Sequence, residues 1–183
     1  MRIERLPLAG AAVVHATPRE DARGRFARLF CQEELRELNG GREIQQVNLS
    51  LTRQQGSIRG LHFQRPPKAE DKAVRCLRGR VFDVLVDLRR GSATFGQWQG
   101  VELCADTLNM VYIPRGFAHG FQTLEPDCEM LYLHTEFYSP EHEGGYRFDS
   151  PALAVRWPLP VGELSPRDLA LPVFLATAEG MTL

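Results

Sequence analysis

Lysine is scarce in this chain of 183 residues: Lys68 and Lys72 are the only two, against abundant arginine. A lysine kept against that bias suits a task for a compact point charge rather than a planar guanidinium. No apolar run reaches the roughly 18 residues that a membrane-crossing helix needs, so no such helix is expected. The segment Met1-Arg-Ile-Glu-Arg-Leu-Pro-Leu8 carries acid at Glu4 and no apolar stretch, so no signal peptide is expected and a cytoplasmic location is. A net charge of −1 gives no support to a nucleic-acid or membrane-surface partner. Cys31, Cys76, Cys104 and Cys128 are widely spaced and form no C-x-x-C pair, which reads as free thiols rather than a structural zinc site. No repeat, low-complexity segment or linker divides residues 1–183, so one domain with a sizeable core is expected.

Short segments rich in β-branched and aromatic residues dominate what is there. Strands are expected at Ala11–Ala16, Arg25–Phe30, Ile44–Leu51, Ser57–Gln64, Ala73–Leu77, Arg80–Leu88, Gln97–Leu103, Asn109–Ile113, Ala118–Leu124 and Glu129–Phe137. Turn signals separate them, among them Gly40-Gly41, Arg78-Gly79-Arg80 and Pro114-Arg-Gly116. Phe82, Val84, Val86 and Leu88 would share one face of their strand, with Asp83, Leu85 and Asp87 on the other. A helix is expected over Gln32–Asn39, ending at Gly40-Gly41, and a short one beginning at Ser165-Pro-Arg-Asp168 with Ser165 as its cap. Ten short strands in one domain read as an all-β sandwich or barrel.

The segment Ser57-Ile-Arg-Gly-Leu-His-Phe-Gln64, followed by Lys72-Ala-Val-Arg-Cys76, carries the most chemistry. It sets His62 on a strand, with a guanidinium shortly before it and an ammonium shortly after. Histidine can take a proton near neutral pH, lysine can hold a negative oxygen, and arginine suits a phosphate. Strict alternation would put Ile58, Gly60, His62 and Gln64 on one face and Arg59 on the other; a bulge near Gly60 would relax this. Pro114-x-Gly116-x-x-His119 matches a motif of the cupin barrels, and Gly56-x5-His62 opens like another. A metal-binding cupin continues His-x-His and then glutamate, but Gln64 stands at the second histidine. Too few ligands remain for a catalytic metal, so neither metal nor cofactor is expected.

Longer motifs narrow the resemblance. Ile58-Arg-Gly-Leu-His-Phe-Gln64, Lys72-Ala-Val-Arg-Cys76, Gly79–Arg89, Phe95-Gly-Gln-Trp98, Ile113–Phe121, Phe137-Tyr-Ser-Pro-Glu-His142 and Leu164-Ser-Pro-Arg-Asp168 together resemble the dTDP-4-dehydrorhamnose 3,5-epimerase family. The similarity runs from about Leu6 to Pro172, in one unbroken order. It implies a cupin-type jelly-roll barrel with a few short helices. It also implies epimerisation at C3 and C5 of a nucleotide-linked 4-keto-6-deoxyhexose through an enolate. By the same resemblance His62 is the base, Asp168 its partner, Tyr132 the proton donor and Lys72 the cation near the C4 oxygen. Arg23, Gln46, Asn48, Arg59, His119, Glu143 and Arg167 match positions that hold nucleotide, diphosphate or sugar, and Tyr138 one that stacks on the base. The family also implies a homodimer that exchanges N-terminal strands.

Two departures bear on the substrate. Arg28 stands where the family often has an acid, and Val47-Asn-Leu-Ser50 replaces an Asp-Asn-His-Ser stretch. They leave open the nucleotide and the number of carbons inverted. By residue type alone, Tyr132 also suits a strand core and Asp168 a helix N-terminus. Two other classes stay open: a metal-dependent cupin using His62, His119 and Glu70, and a module that binds a nucleotide sugar without turning it over.

Overall fold

The computed structural model describes Met1–Leu183. In chain order its elements are β1 (Arg2–Arg5), β2 (Ala12–His15), β3 (Arg19–Asp21), β4 (Gly24–Phe26), α1 (Arg36–Asn39), β5 (Gln46–Thr52), β6 (Ile58–Gln64), β7 (Lys72–Arg78), β8 (Arg80–Asp87), β9 (Trp98–Cys104), β10 (Asn109–Ile113), β11 (Phe117–Thr123), β12 (Cys128–His134), β13 (Glu143–Gly145) and α2 (Pro166–Leu169). Six strands form one sheet in the order β1-β2-β10-β7-β12-β5, and five form a second in the order β13-β6-β11-β8-β9. Neighbours within each sheet run antiparallel. The sheets face each other as a cupin-type jelly roll, the all-β architecture expected. No helix is long and apolar enough to cross a membrane.

Alternation along the strands sorts the side chains into layers. Val81 and Leu85 of β8 point between the sheets with Val74 and Cys76 of β7, Val111 and Ile113 of β10, Phe121 of β11 and Met130 of β12. Val84, Val86 and Leu88 face outward, where Leu153 and Phe174 of the C-terminal segment cover them. Leu35 covers the opposite outer face over Val14, Ala73, Met110 and Tyr112. The space between the sheets is filled with apolar groups over part of its length. Toward the other end the inward positions turn polar, with Asn48, Ser50, His62, Lys72, Tyr132 and His134 around a cavity.

Several elements differ from expectation. Only the last turn of the helix over Gln32–Asn39 forms, as α1; Gln32–Leu35 is a series of turns. Eight residues are too few for a self-supporting helix, and the Gln32 side chain donates instead to Gly41 O and Arg42 O. Gly40 ends the helix in the left-handed conformation, at φ 63°. The strand over Arg25–Phe30 stops at Phe26, because its only partner is the three-residue β3. Beyond it, Leu29 O accepts from the buried Arg75 guanidinium rather than from a ladder. The last expected strand ends at His134; Thr135 N–H goes to Asp71 O. β1, β3 and β13 were not foreseen, being short and polar.

Candidate active site

Where it borders the cavity, β6 breaks step with β11. His62 lies opposite His119 and Arg59 opposite Phe121, so three residues of β6 span two of β11. That extra residue is a β-bulge, and it turns Arg59 and His62 to the same side despite their odd spacing. Both line the cavity. Gly60 and Gly120 make the close approach possible: a Cβ on Gly60 would fall 2.7 Å from Gly120 Cα and His119 O. Gly60 also sits at φ +117°, a conformation few other residues adopt. Its N–H leaves the strand ladder and donates to Asp168 Oδ2 at 3.2 Å.

Asp168 reaches this point from α2. Ser165 accepts the Asp168 N–H at 3.0 Å and Pro166 occupies the first turn, so the expected cap forms. The carboxylate is buried, and its Oδ1 takes a 2.7 Å hydrogen bond from His62 Nε2. Burial opposes its charge, but His62 and Gly60 outweigh that, and Asp168 titrates below its ordinary range. With Nε2 on Asp168, His62 keeps Nδ1 for another proton. A second pair lies beside it: His119 Nε2 on the fully buried Asp83, at 2.7 Å. Tyr132 projects from β12 into the same space, its hydroxyl 2.9 Å from Ser50 Oγ. Burial raises the phenol to about 12, with Ser50 opposing, so it holds its proton well past neutrality.

Lys72 begins β7 and lies opposite His134 of β12. Between them sits the buried Glu70. Its Oε1 is 3.1 Å from Lys72 Nζ, and its Oε2 accepts from His134 Nδ1 at 2.8 Å. Burial works against its charge, but His134 and Lys72 hold its carboxyl below the usual range. The other lysine, Lys68, pairs with Glu136 and does not line the cavity.

Around this centre the cavity, about 600 Å³, is lined by ten of the twelve residues singled out from sequence: His62, Lys72, Tyr132, Asp168, Asn48, Arg59, His119, Tyr138, Glu143 and Arg167. Tyr138, Glu143 and Arg167 form a rim cluster. Tyr138 donates to Glu143 Oε2 at 2.8 Å, and Arg167 pairs with Oε1. Burial opposes the Glu143 charge, while Arg167 and Tyr138 offset it and leave the carboxyl below its usual range. Gln46 lies outside the lining, where its side-chain oxygen accepts the Tyr138 N–H. Arg23 lies outside as well, at the tip of the β3–β4 hairpin, with its side chain 89% exposed and paired to Asp21.

Ser50 and His134 line the cavity without having been assigned a site role from sequence, and Glu70, which the sequence suggested only as a metal ligand, lines it too. Cross-strand register, invisible in a linear reading, brings them there. The three residues of the metal-ligand reading do not converge in this structure. His62, His119 and Glu70 each turn to a different partner, and no three His, Cys, Asp or Glu side chains converge. Gln64 is spent on backbone groups, donating to Lys68 O and Phe137 O and accepting from Ser139 N.

The chain resembles proteins of known activity over nearly its whole length. A family model described as dTDP-4-dehydrorhamnose 3,5-epimerase matches residues 5–175. The dTDP-4-dehydrorhamnose 3,5-epimerase of Salmonella typhimurium is 44% identical over 155 residues, covering 84% of each chain. The crystal structure of a dTDP-6-deoxy-D-glucose-3,5-epimerase from Legionella pneumophila, in complex with dTDP-4-keto-L-rhamnose, matches with a TM-score of 0.87 and 36% identity. It covers 96% of this chain and 99% of that one. A 3′-monoepimerase from Streptomyces bikiniensis, in complex with dTDP-quinovose, has the same TM-score at 32% identity, covering 93% and 86%.

Proposed function

The chain belongs to the dTDP-4-dehydrorhamnose 3,5-epimerase family, and we infer that it converts dTDP-4-dehydro-6-deoxy-D-glucose to dTDP-4-dehydro-L-rhamnose. The observation that carries the reading is the His62–Asp168 pair in one cavity with Tyr132 and Lys72. The C4 carbonyl acidifies the C–H bonds at C3 and C5. His62 Nδ1 takes the proton, the bonding pair moves into the enolate, and Asp168 stabilises the resulting imidazolium. The Lys72 ammonium faces the oxygen that gains charge. Tyr132 returns a proton to the opposite face, which inverts the carbon. Solvent restores the Tyr132 proton and removes that on His62.

Arg59 and Arg167 suit the diphosphate, Asn48 and His119 the sugar, and Tyr138 the face of the thymine. Arg23 and Gln46 belong to the same site in this reading, Gln46 by steadying Tyr138 and Arg23 from a second subunit. The homodimer is supported by two exposed apolar surfaces. β5 is an open sheet edge with Val47, Leu49 and Leu51 exposed, and the β3–β4 hairpin carries Phe26 at 76% exposure. The protein acts in the cytoplasm as one domain, with four free thiols.

Inversion at C3 alone is the second reading, favoured by the likeness to a 3′-monoepimerase. Incubation with the ketosugar in D₂O separates the possibilities. Label should enter C3 and C5 of the product. Label at C3 only would establish the second reading, and binding without exchange would overturn both. His62→Ala should abolish exchange at both carbons; near-full turnover in that variant would refute the base assignment.

A further inference from the structure

We propose that Glu70 is a positioning residue for the reaction, fixing Lys72 on one side and, through His134, the packing of Tyr132 on the other. The proposal rests on the epimerase reading, in which Lys72 and Tyr132 touch the substrate. Lys72 and His134 are directly opposite each other across β7 and β12, and both side chains face the cavity. Two donors so placed, one of them charged, need a shared acceptor. Glu70 supplies it, one oxygen for each, from a buried position next to neither in the ladder. His134 in turn stacks against Tyr132, two residues before it on the same strand, with ring centroids 6.2 Å apart and planes 23° from parallel. One buried carboxylate therefore sets the places of the oxyanion-stabilising ammonium and of the ring that backs the proton donor.

A carboxylate is required because both of its oxygens accept. In Glu70→Gln only one end of the amide accepts, so its NH₂ faces either Lys72, donor against donor, or His134 Nδ1, which must then give up its proton. The expected result is a loss in kcat of about tenfold with KM changed less than about threefold. Exchange at each labelled carbon should slow in parallel. Replacing the second donor should relieve the conflict: E70Q/H134F frees the amide oxygen for Lys72 and keeps a flat ring against Tyr132, so kcat should recover several-fold over E70Q alone. A merely structural role predicts the reverse, with the double variant worse than either single one. In the substrate-free protein, ¹⁵N NMR should show a proton on His134 Nδ1, and E70Q should move that resonance while leaving His62 in place. A kcat for E70Q within twofold of wild type, a double variant with no recovery, or an unmoved His134 resonance would each overturn the proposal. If E70Q does not fold, H134Q supplies the test: reduced kcat at unchanged KM supports it, and unchanged kcat overturns it. An unmodified protein that exchanges no label would refute the epimerase reading instead, and the imidazole resonance would still report on the Glu70–His134 pair.

Discussion

At the scale of single residues, the site works by holding groups in fixed protonation states. Tyr132 is buried and raised to about 12, so across the physiological range it keeps the proton that the proposed mechanism asks it to donate. Its phenol absorbance should titrate near that value, and Tyr132→Phe should remove the step. The same variant should impair completion of inversion more than loss of the substrate C–H proton, seen as deuterium exchange that outruns product formation. Exchange and inversion falling equally would contradict the donor role. Asp168 and Glu70 are both held below their ordinary values. Depressed carboxyls stabilise the fold above their unfolded values and lose that contribution as pH falls through the folded ones. Thermal stability should therefore decline from about pH 4 downward. Glu70→Gln should make that decline shallower in a series of melts. These residues differed in how much could be read in advance. His62, Lys72 and Asp168 stand in long recognisable segments. His134 and Ser50 stand in stretches without such a signal, and only strand pairing brings them to the cavity.

At the scale of elements, β6 and its neighbour β11 decide the geometry. Regular alternation assigns Arg59 and His62 to opposite faces; the bulge at Gly60 brings them together. The glycine was visible in the sequence, and so was the chance of a bulge. The register was not, because it depends on which strand pairs with β6 and on Gly120 across the gap. Gly60→Ala would place a methyl 2.7 Å from backbone at φ +117°. It should cost about 2–4 kcal/mol of stability in denaturant unfolding. Surviving folded protein should lose both turnover and nucleotide affinity, because the bulge places His62 and Arg59 together. The helix over Gln32–Asn39 shows the opposite error. Its leucine spacing is a sound local pattern, but Leu35 is held by the sheet, and only the turn before Gly40 stays helical. The short strands β1, β3 and β13 have too few residues for any pattern to show.

At the scale of the whole molecule, the jelly roll was legible from ten strand signals and the order of motifs. Its covering layers were not: long C-terminal segments without regular structure pack Leu153 and Phe174 over the outer sheet. The proposed dimer belongs to this scale. If the hairpin that carries Arg23 enters the partner's cavity, Arg23→Ala and His62→Ala lie in different subunits of one site. Mixing the two weak variants under exchange conditions should then restore roughly a quarter of wild-type activity, because half of the dimers would be hybrids with one intact site. Absence of recovery would mean that Arg23 acts, if at all, within its own subunit.

The bulge in β6 has a consequence for how this protein can change. Most enzymes tolerate insertion and deletion as long as the change falls in a loop and spares the catalytic letters. Here the chemistry depends on an odd residue count within a strand, a dislocation in an otherwise periodic lattice. Adding one residue to β11 between His119 and Phe121 would keep every one of these side chains in the sequence and mend the ladder between β6 and β11. It would also turn the arginine and the histidine away from each other. The activity is thus written partly in spacing, and a flawless sheet would be an inactive one.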